Sequence, residues 1–158
     1  MNTATVSGGS SLTFTSANWN VAQTVTLAAA EDVDTSNGSA VFDVTSSGQA
    51  TVSVTGTEAD NDVQSLVVSS TAVSVNEGAT NTFTVSLAFQ PAGDVTMAIA
   101  RVSGDTDLSV SGGGGSLTFT TANWNVAQTV GLGAAEDVDT SNGAEVFDVK
   151  LGGFTTVS

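Results

Sequence analysis

The sequence predicts an all-β protein made of repeated antiparallel β-sandwich modules. Apolar residues alternate with threonine and serine, as in Thr-Phe-Thr-Val-Ser-Leu at residues 82–87, and this pattern is typical of a strand with one buried face and one wet face. Turns rich in Gly, Asn and Asp separate such runs, for example at residues 37–38 and 112–115. A long block of sequence also occurs twice. These three observations favour several short strands in each module.

The repeated block predicts the domain organisation. Residues 11–44 and 116–149 align without gaps, differ at five of 34 positions and lie 105 residues apart. A period of this length matches one β-sandwich module. We therefore predict that residues 1–62 are the C-terminal half of a first module, and that residues 63–158 are a second, nearly complete module. We interpret the chain as a piece of a longer tandem array.

The second module is predicted to contain seven antiparallel strands, A to G, in an immunoglobulin-like sandwich. Strand A precedes the Val-Asn-Glu-Gly sequence at residues 75–78, and the turn that contains Pro91 separates strands B and C. Glycines at residues 112–115 break strand D. Strands E and F repeat the pattern of the first copy, which holds only strands D to G. The predicted ranges are 65–75 (A), 80–88 (B), 93–101 (C), 107–120 (D), 126–134 (E), 144–151 (F) and 154 onward (G).

The same alternation predicts which apolar side chains face inward. In the second module these are Phe83, Val85, Leu87, Val95, Met97, Ile99, Leu117, Phe119, Val130, Leu132 and Phe147. In the first module, Leu12, Phe14, Val25, Leu27, Phe42 and Val44 lack strands A to C to cover them. Because uncovered apolar faces and strand edges favour association, we expect this half-module to pair with a neighbouring chain. Disorder, or borrowing of residues 63–101, is the alternative.

The charge balance restricts the partners of this protein. The chain has 16 acidic and two basic residues, and its formal net charge is −14. Such a surface repels nucleic acid and anionic membrane surfaces, and no apolar run is long enough to insert into a membrane. Clustered carboxylates with so few cations repel one another unless a divalent metal neutralises them.

Residue types that are missing from the sequence argue against an enzyme. The chain has no Cys, His or Tyr, which excludes thiol chemistry, a Ser-His-Asp triad and His-ligated metals. Asp32 with Asp34, or Asp137 with Asp139, supplies paired carboxylates. Carboxylates two residues apart on one loop are poorly placed to flank a glycosidic bond from two sides. We therefore expect a non-catalytic protein.

Several features together resemble a known family. They are the Val-Asn-Glu-Gly sequence at 75–78, Asp-Thr-Asp at 105–107, the acidic loop that precedes strand F, and the acidic run at 58–62. In this order they resemble Calx-β domains and their bacterial relatives. The resemblance covers residues 63–158 and the half-module at 2–62. It implies tandem sandwich modules of large surface or secreted proteins, which bind calcium (Ca2+) at one end of the sandwich.

The resemblance also implies the calcium ligands, which come from four loops of the family's modules. Carried over to the second module, they are Glu77, Asp107, Glu136, Asp137 and Asp139. Carried over to the first module, they are Glu31, Asp32, Asp34, Asp60 and Asp62. The first module departs from the pattern, because Asn2 stands at the place of Asp107 and no A–B glutamate is present. The acidic loop itself does not have the spacing of an EF-hand.

Two functions follow as expectations. The first is a structural or adhesive module at the cell surface or outside the cell, which contacts neighbouring modules and is stiffened by calcium. The second is a carbohydrate-binding or accessory module of a secreted polysaccharide-degrading enzyme, with Trp19 and Trp124 stacking on sugar rings. Against the second reading, each tryptophan can instead cap a sandwich core. No leader sequence follows Met1, so we expect any export signal to lie outside this segment.

Overall fold

The computed structural model describes residues 4–112, 115–138 and 143–151, without the side chains of residues 150 and 151. The chain divides into two compact units, Met1–Asn61 and Asp62–Ser158. All regular structure in the described residues is β-strand. None of the described segments forms a helix with the length and apolarity that a bilayer crossing requires.

The first unit contains two antiparallel strand pairs. Strand β1 (Thr5–Gly8) pairs with β2 (Thr26–Ala28), and β3 (Ser39–Val44) pairs with β4 (Val52–Thr57). A Cβ added at Gly56 would meet the side chains of Leu27 and Phe42. Leu27 lies on β2 and Phe42 on β3, so the two strand pairs approach each other around this glycine.

The second unit forms two antiparallel sheets. Its strands are β5 (Leu66–Val68), β6 (Thr80–Leu87), β7 (Val95–Gly104), β8 (Leu108–Ser111), β9 (Ser116–Phe119), β10 (Gln128–Ala134) and β11 (Glu145–Leu151). One sheet has the order β5-β6-β10-β8 and the other has the order β11-β7-β9. The prediction of an antiparallel all-β architecture is therefore confirmed.

One hydrophobic core joins these two sheets. All eleven side chains that the alternation placed inside either belong to this core or pack against it. Phe83, Val85 and Leu87 come from β6, and Met97 and Ile99 come from β7. The prediction of these inward-facing side chains is correct because successive side chains of a strand point to opposite faces. One face of each strand is apolar, and the other face carries Thr and Ser.

Strand A is much shorter than predicted. It covers Leu66–Val68 instead of residues 65–75. The Ser70 hydroxyl donates to the Ala72 carbonyl at 2.6 Å and accepts from the Ala72 amide at 3.2 Å. Such local side-chain bonds compete with the sheet for the backbone, so the strand ends before them. The other predicted strands of the second unit lie within three residues of the predicted bounds, and the predicted strand G is outside the described residues.

The predicted strand around Leu12 and Phe14 is wrong. Residues 12–15 form no strand, although their counterparts Ser116–Phe119 form β9. In the second unit, β9 pairs with β7, with Phe119 opposite Val95. Among the described residues of the first unit, no strand corresponds to β7, so residues 12–15 lack the neighbour with which β9 forms its hydrogen bonds.

A turn that contains the tryptophan is the same in both units. The Thr15 amide donates to Asn18 Oδ1 at 2.5 Å, and the Thr120 amide donates to Asn123 Oδ1 at 2.6 Å. Trp124 packs, partly buried, against the core, and its carbonyl accepts the Leu87 amide at 2.8 Å. These contacts match the predicted cap of the core in the second unit.

Candidate metal centre

Three carboxylates meet at one end of the first unit. Oxygens of Asp32, Asp34 and Asp60 all lie within 4.8 Å of one another. Asp32 and Asp34 belong to the loop between β2 and β3, and Asp60 follows β4. Asp34 is buried and the other two side chains are half-buried. The sequence-predicted ligands of the loop and of the acidic run therefore come together.

Short-range hydrogen bonds shape the loop that carries two of these carboxylates. The Asp34 amide donates to Asp32 Oδ1 at 3.1 Å, and the Ser36 amide donates to Asp34 Oδ1 at 2.8 Å. Aspartates commonly bond to backbone groups two residues onward and so hold a tight turn. In each of these two carboxylates, one oxygen accepts a hydrogen bond from its own loop. This bond fixes the direction in which the second oxygen of the same carboxylate points.

A second set of bonds fixes the segment that carries Asp60. The Gly38 amide donates to Glu58 Oε2 at 2.9 Å, and the Glu58 amide donates to the Gly38 carbonyl at 2.8 Å. Asn37 Oδ1 accepts the Asp60 amide at 2.8 Å. Asn37, Gly38 and Glu58 thus hold Asp60 beside the loop, although the sequence analysis did not assign them to the site. The Asn-Gly turn that it did identify was the available signal.

Two predicted ligands of the first unit, Glu31 and Asp62, are not members of this group. Glu31 Oε1 accepts a bond from Asn61 Nδ2 at 3.4 Å. Asp62 begins the second unit. The carboxylate group in the described residues contains neither of them.

The second unit brings acidic residues from three loops to its equivalent end. Glu77 Oε1 accepts the Asp137 amide at 2.9 Å, which joins the loop before β6 to the loop after β10. The Asp107 carbonyl accepts the Ala135 amide at 2.9 Å. Asp105 Oδ1 accepts the Asp107 amide at 3.0 Å. These bonds place Glu77, Asp105, Asp107 and Asp137 around one region.

Two glycines make room for acidic side chains in this region. Gly78 has a φ of +68°, and a Cβ added there would overlap the carboxylate of Glu136. A Cβ added at Gly143 would likewise overlap the carboxylate of Asp105. The left-handed backbone of Gly78 is a conformation that glycine adopts at little cost. Both carboxylates therefore lie directly against the backbone of another loop.

Like charges raise the pKa of Asp107 above its ordinary value. The negative charge of Asp105 is the largest cause, desolvation is the second, and a hydrogen bond and the charge of Asp137 add to them. An acid whose charged form is disfavoured by neighbouring carboxylates is stabilised when a cation binds among them. The carboxylates of Asp105, Asp107 and Asp137 therefore repel one another in this region.

Asp105 is the acidic residue that the sequence analysis missed as a candidate ligand. It stands two positions before Asp107, which is the spacing that also separates Asp32 from Asp34. That repeated Asp-x-Asp pattern was the available signal. Asp139, the remaining predicted ligand, lies outside the described residues. In the described part of the second unit, no three carboxylates meet the spacing found in the first.

A cleft of about 690 Å³ opens beside these residues in the second unit, and the sequence did not predict it. Its inner wall is apolar and includes Phe83 and Phe147, while Glu77, Asp107 and Asp137 line another part. The acidic groups therefore face an accessible space that a hydrated ion can enter.

These arrangements fit a hard cation. Carboxylates and backbone carbonyls are the oxygen ligands that Ca²⁺ and Mg²⁺ take, and Ca²⁺ accepts six to eight of them in flexible geometry. Three close carboxylates can hold such an ion with help from carbonyls and water. Comparisons with protein-family models, with curated proteins and with solved structures gave no match to this chain.

Proposed function

We propose that this chain is a non-catalytic structural or adhesive repeat module that binds Ca²⁺ at the acidic end of each unit. The proposal includes seven-stranded, immunoglobulin-like modules of the Calx-β type, which belong to a large bacterial protein at the cell surface or outside the cell. The single observation that carries the metal proposal is the group formed by Asp32, Asp34 and Asp60, whose carboxylate oxygens lie within 4.8 Å of one another.

The position of this group in the fold supports a structural role. Two of its carboxylates come from the loop between β2 and β3, and the third follows β4, so a bound ion would tie the loop to the last segment of the unit. Asp60 stands only two residues before the second unit begins. An ion held there restrains the segment through which the two units are connected.

The acidic end of the second unit gives independent support for a cation. The raised pKa of Asp107 is caused first by the charge of Asp105. Removal of this repulsion by a divalent ion stabilises the folded state. Calcium is favoured over magnesium because magnesium demands a tighter octahedral geometry and loses its water reluctantly, whereas these carboxylates lie on loops.

The proposal is tested by scanning calorimetry of the whole chain in EDTA and in calcium. Extracellular modules bind calcium with Kd values of about 0.1–1 mM. Calcium at 100 times Kd stabilises the folded state by about 2.7 kcal/mol, so 10 mM calcium should raise the Tm clearly if Kd is about 0.1 mM. Magnesium at the same concentration should raise it less.

Matched variants separate a metal site from a general salt effect. The double change Asp32→Asn and Asp34→Asn should abolish most of the calcium-dependent rise in the first unit. Asp94→Asn removes the same type of charge from an exposed turn and should leave the rise intact. A Tm that does not respond to calcium, or a response that survives the double change and Asp107→Asn, would disprove the metal proposal.

The exposure of Trp19 supports the second candidate function, carbohydrate binding. Trp19 is 71% exposed, so its ring is available for stacking on a sugar. Its counterpart Trp124 is partly buried against the core. Calorimetric titration with soluble polysaccharides tests this candidate. Saturable binding that is lost in Trp19→Ala would favour it over the structural role.

A further inference from the structure

A single ion pair joins the ends of two strands in the second unit. Arg101 lies on the face of β7 that also carries the buried residues Met97 and Ile99, and Glu145 is the first residue of β11. The Glu145 side chain is fully buried, and its carboxylate forms an ion pair with Arg101 Nε. A buried charge is costly without a partner, so the position of Glu145 depends on this contact.

The same guanidinium also holds the end of β7. Arg101 Nη2 donates to the Gly104 carbonyl at 2.6 Å. The register between β7 and β11 shifts in this region, between Val146 and Phe147, and such irregularities bend a strand and redirect its side chains. Arg101 therefore spans the irregular end of β7, with one bond to its own strand and one to the start of β11.

Gly104 brings the two strand ends into direct contact. Its φ of +114° is a conformation that residues with a side chain rarely adopt, and a Cβ added there would overlap the Ala144 carbonyl and Glu145. The Asp105 amide donates to the same Ala144 carbonyl at 3.1 Å. The chain thus leaves β7 against the first residues of β11.

The turn that follows carries two carboxylates of the second unit's acidic end. The Asp105 carboxylate lies directly against the backbone of Gly143 and accepts the Asp107 amide at 3.0 Å. The Asp107 carbonyl accepts the Ala135 amide at 2.9 Å, which connects this turn to the loop after β10. A continuous series of contacts therefore runs from Arg101 to both carboxylates.

We infer that Arg101 and Glu145 form a clamp that positions Asp105 and Asp107 for a cation at the acidic end of the second unit. The inference rests on the proposed function, which assigns calcium to this end. The clamp acts through the turn at residues 104–107 and supplies no ligand, so Arg101 and Glu145 are positioning residues. A turn that is already fixed before the ion arrives loses less conformational freedom on binding, and this strengthens binding.

The repeated block shows that the clamp distinguishes the second unit from the first. Ala40 stands at the position of Glu145, and alanine cannot form this ion pair. In the first unit, the bonds of Asn37 and Glu58 hold the segment that carries Asp60. Because the two units fix their carboxylates with different residues, loss of the clamp should affect the second unit alone.

Amide hydrogen exchange of the full chain, followed by NMR in EDTA, tests the clamp without any metal. In Arg101→Gln, the Asp105 and Ala135 amides should lose protection, because their bonds depend on the turn that the clamp holds. The Leu87 amide is the control, since it is bonded to the Trp124 carbonyl beside the core and should keep its protection.

Calcium titration in the same NMR spectra tests the effect on binding. The Asp107 amide reports the second unit, where Arg101→Gln should weaken calcium binding about tenfold, the lower end of the range for groups that orient metal ligands. The Ser36 amide, which donates to Asp34, reports the first unit. Its titration should stay the same in every clamp variant and is therefore the internal control.

Two further variants separate positioning from charge and from stability. By charge alone, removal of a cation near acidic loops would tighten calcium binding, which is the opposite of the expected change. Arg101→Lys keeps the charge but lacks the planar fork that reaches two acceptors, so binding should still weaken. Arg101→Gln with Glu145→Ala leaves no buried charge without a partner, so it should recover stability but not calcium affinity.

Three results would overturn the inference and leave the proposed function intact. The first is an Arg101→Gln variant with the exchange protection and calcium affinity of the wild type. The second is tighter calcium binding in this variant, which would mean that Arg101 acts only through its charge. The third is calcium affinity that returns together with stability in the double variant. Second-unit amides that do not respond to calcium in the wild type would contradict the proposed function at this end, and the inference with it.

Discussion

Phe14 in the first unit and Phe119 in the second stand at equivalent places in the repeated block, yet Phe14 is more than half exposed and Phe119 is fully buried. Their sequence neighbours are almost identical. The difference comes from β6 and β7, which are central strands of the two sheets of the second unit. Among the described residues of the first unit, no strand corresponds to them. The comparison teaches that period-two alternation predicts which face of a strand is apolar, whereas burial depends on the strands that lie beside it.

The largest effect that tests this comparison comes from truncating the two phenylalanines. Phe119→Ala should reduce the free energy of unfolding by about 3–5 kcal/mol, because it removes a large buried side chain and leaves a cavity. Phe14→Ala should cost less than about 1 kcal/mol, because that side chain is already largely in water. Chemical denaturation of both variants measures the costs. Equal costs would show that the two positions are packed alike.

A smaller effect tests a residue at which the two units differ. Glu145 replaces Ala40, its side chain is fully buried, and Arg101 Nε forms an ion pair with a carboxylate that otherwise has no hydrogen-bond partner. Arg101→Gln should cost about 1–3 kcal/mol by leaving a buried acceptor unsatisfied. This expected loss of stability is smaller than the loss for an ion pair in which both side chains are buried, because the Arg101 side chain is 41% exposed.

The control for this change restores the residue of the first unit. In the double variant Arg101→Gln with Glu145→Ala, no buried charge is left without a partner, so denaturation should show a smaller loss than for Arg101→Gln alone. If the single and double variants lose the same stability, the ion pair does not stabilise the second unit.

The smallest effect concerns charge repulsion at the acidic end of the second unit. The pKa of Asp107 is raised in the folded state, so its protonation favours folding. This contribution is complete below the ordinary pKa of 3.8 and is lost as the pH rises through the folded value. In EDTA at neutral pH, Asp107→Asn should therefore raise the Tm slightly, and in calcium it should reduce the Tm gain.

The same variant has a control that depends on pH. In EDTA, the wild-type protein should gain stability from the protonation of Asp107 as the pH falls from neutral to about 4. The Asp107→Asn variant should lack this part of the gain, whereas the Asp94→Asn variant should retain it. A lower Tm of Asp107→Asn in EDTA would mean that its carboxylate stabilises the unit without a metal. The sequence equivalent of Asp107 in the first copy is Asn2, so this repulsion distinguishes the two units.

Much of the fold could be predicted because the signals were local. The alternation in β6 and β7 predicted both the strands and the direction of their side chains. The extent of strand A could not be predicted, since it depends on the competing bonds of Ser70. The failure of residues 12–15 to form a strand depends on a missing partner, which is a long-range property that no local pattern contains.

The candidate site shows the same limit. Asp32, Asp34 and Asp60 were predicted from the family resemblance and from the density of acidic residues. Asp105 was missed as a candidate ligand because only the fold brings its carboxylate, together with that of Asp137, close to Asp107. The positions of Glu31 and Asp62 outside the carboxylate group also depend on loop conformation, since their sequence neighbours belong to the group.

The distribution of the two tryptophans makes the units optically distinguishable. Each unit contains one tryptophan and the chain has no tyrosine, so all indole emission comes from Trp19 and Trp124. Trp19 is 71% exposed and should emit at the longer wavelength, while Trp124 is packed on the core and should emit at the shorter one. Unfolding of the second unit should therefore shift the Trp124 emission to the red, whereas the Trp19 emission should change little. A single emission maximum that does not change on unfolding would contradict this assignment.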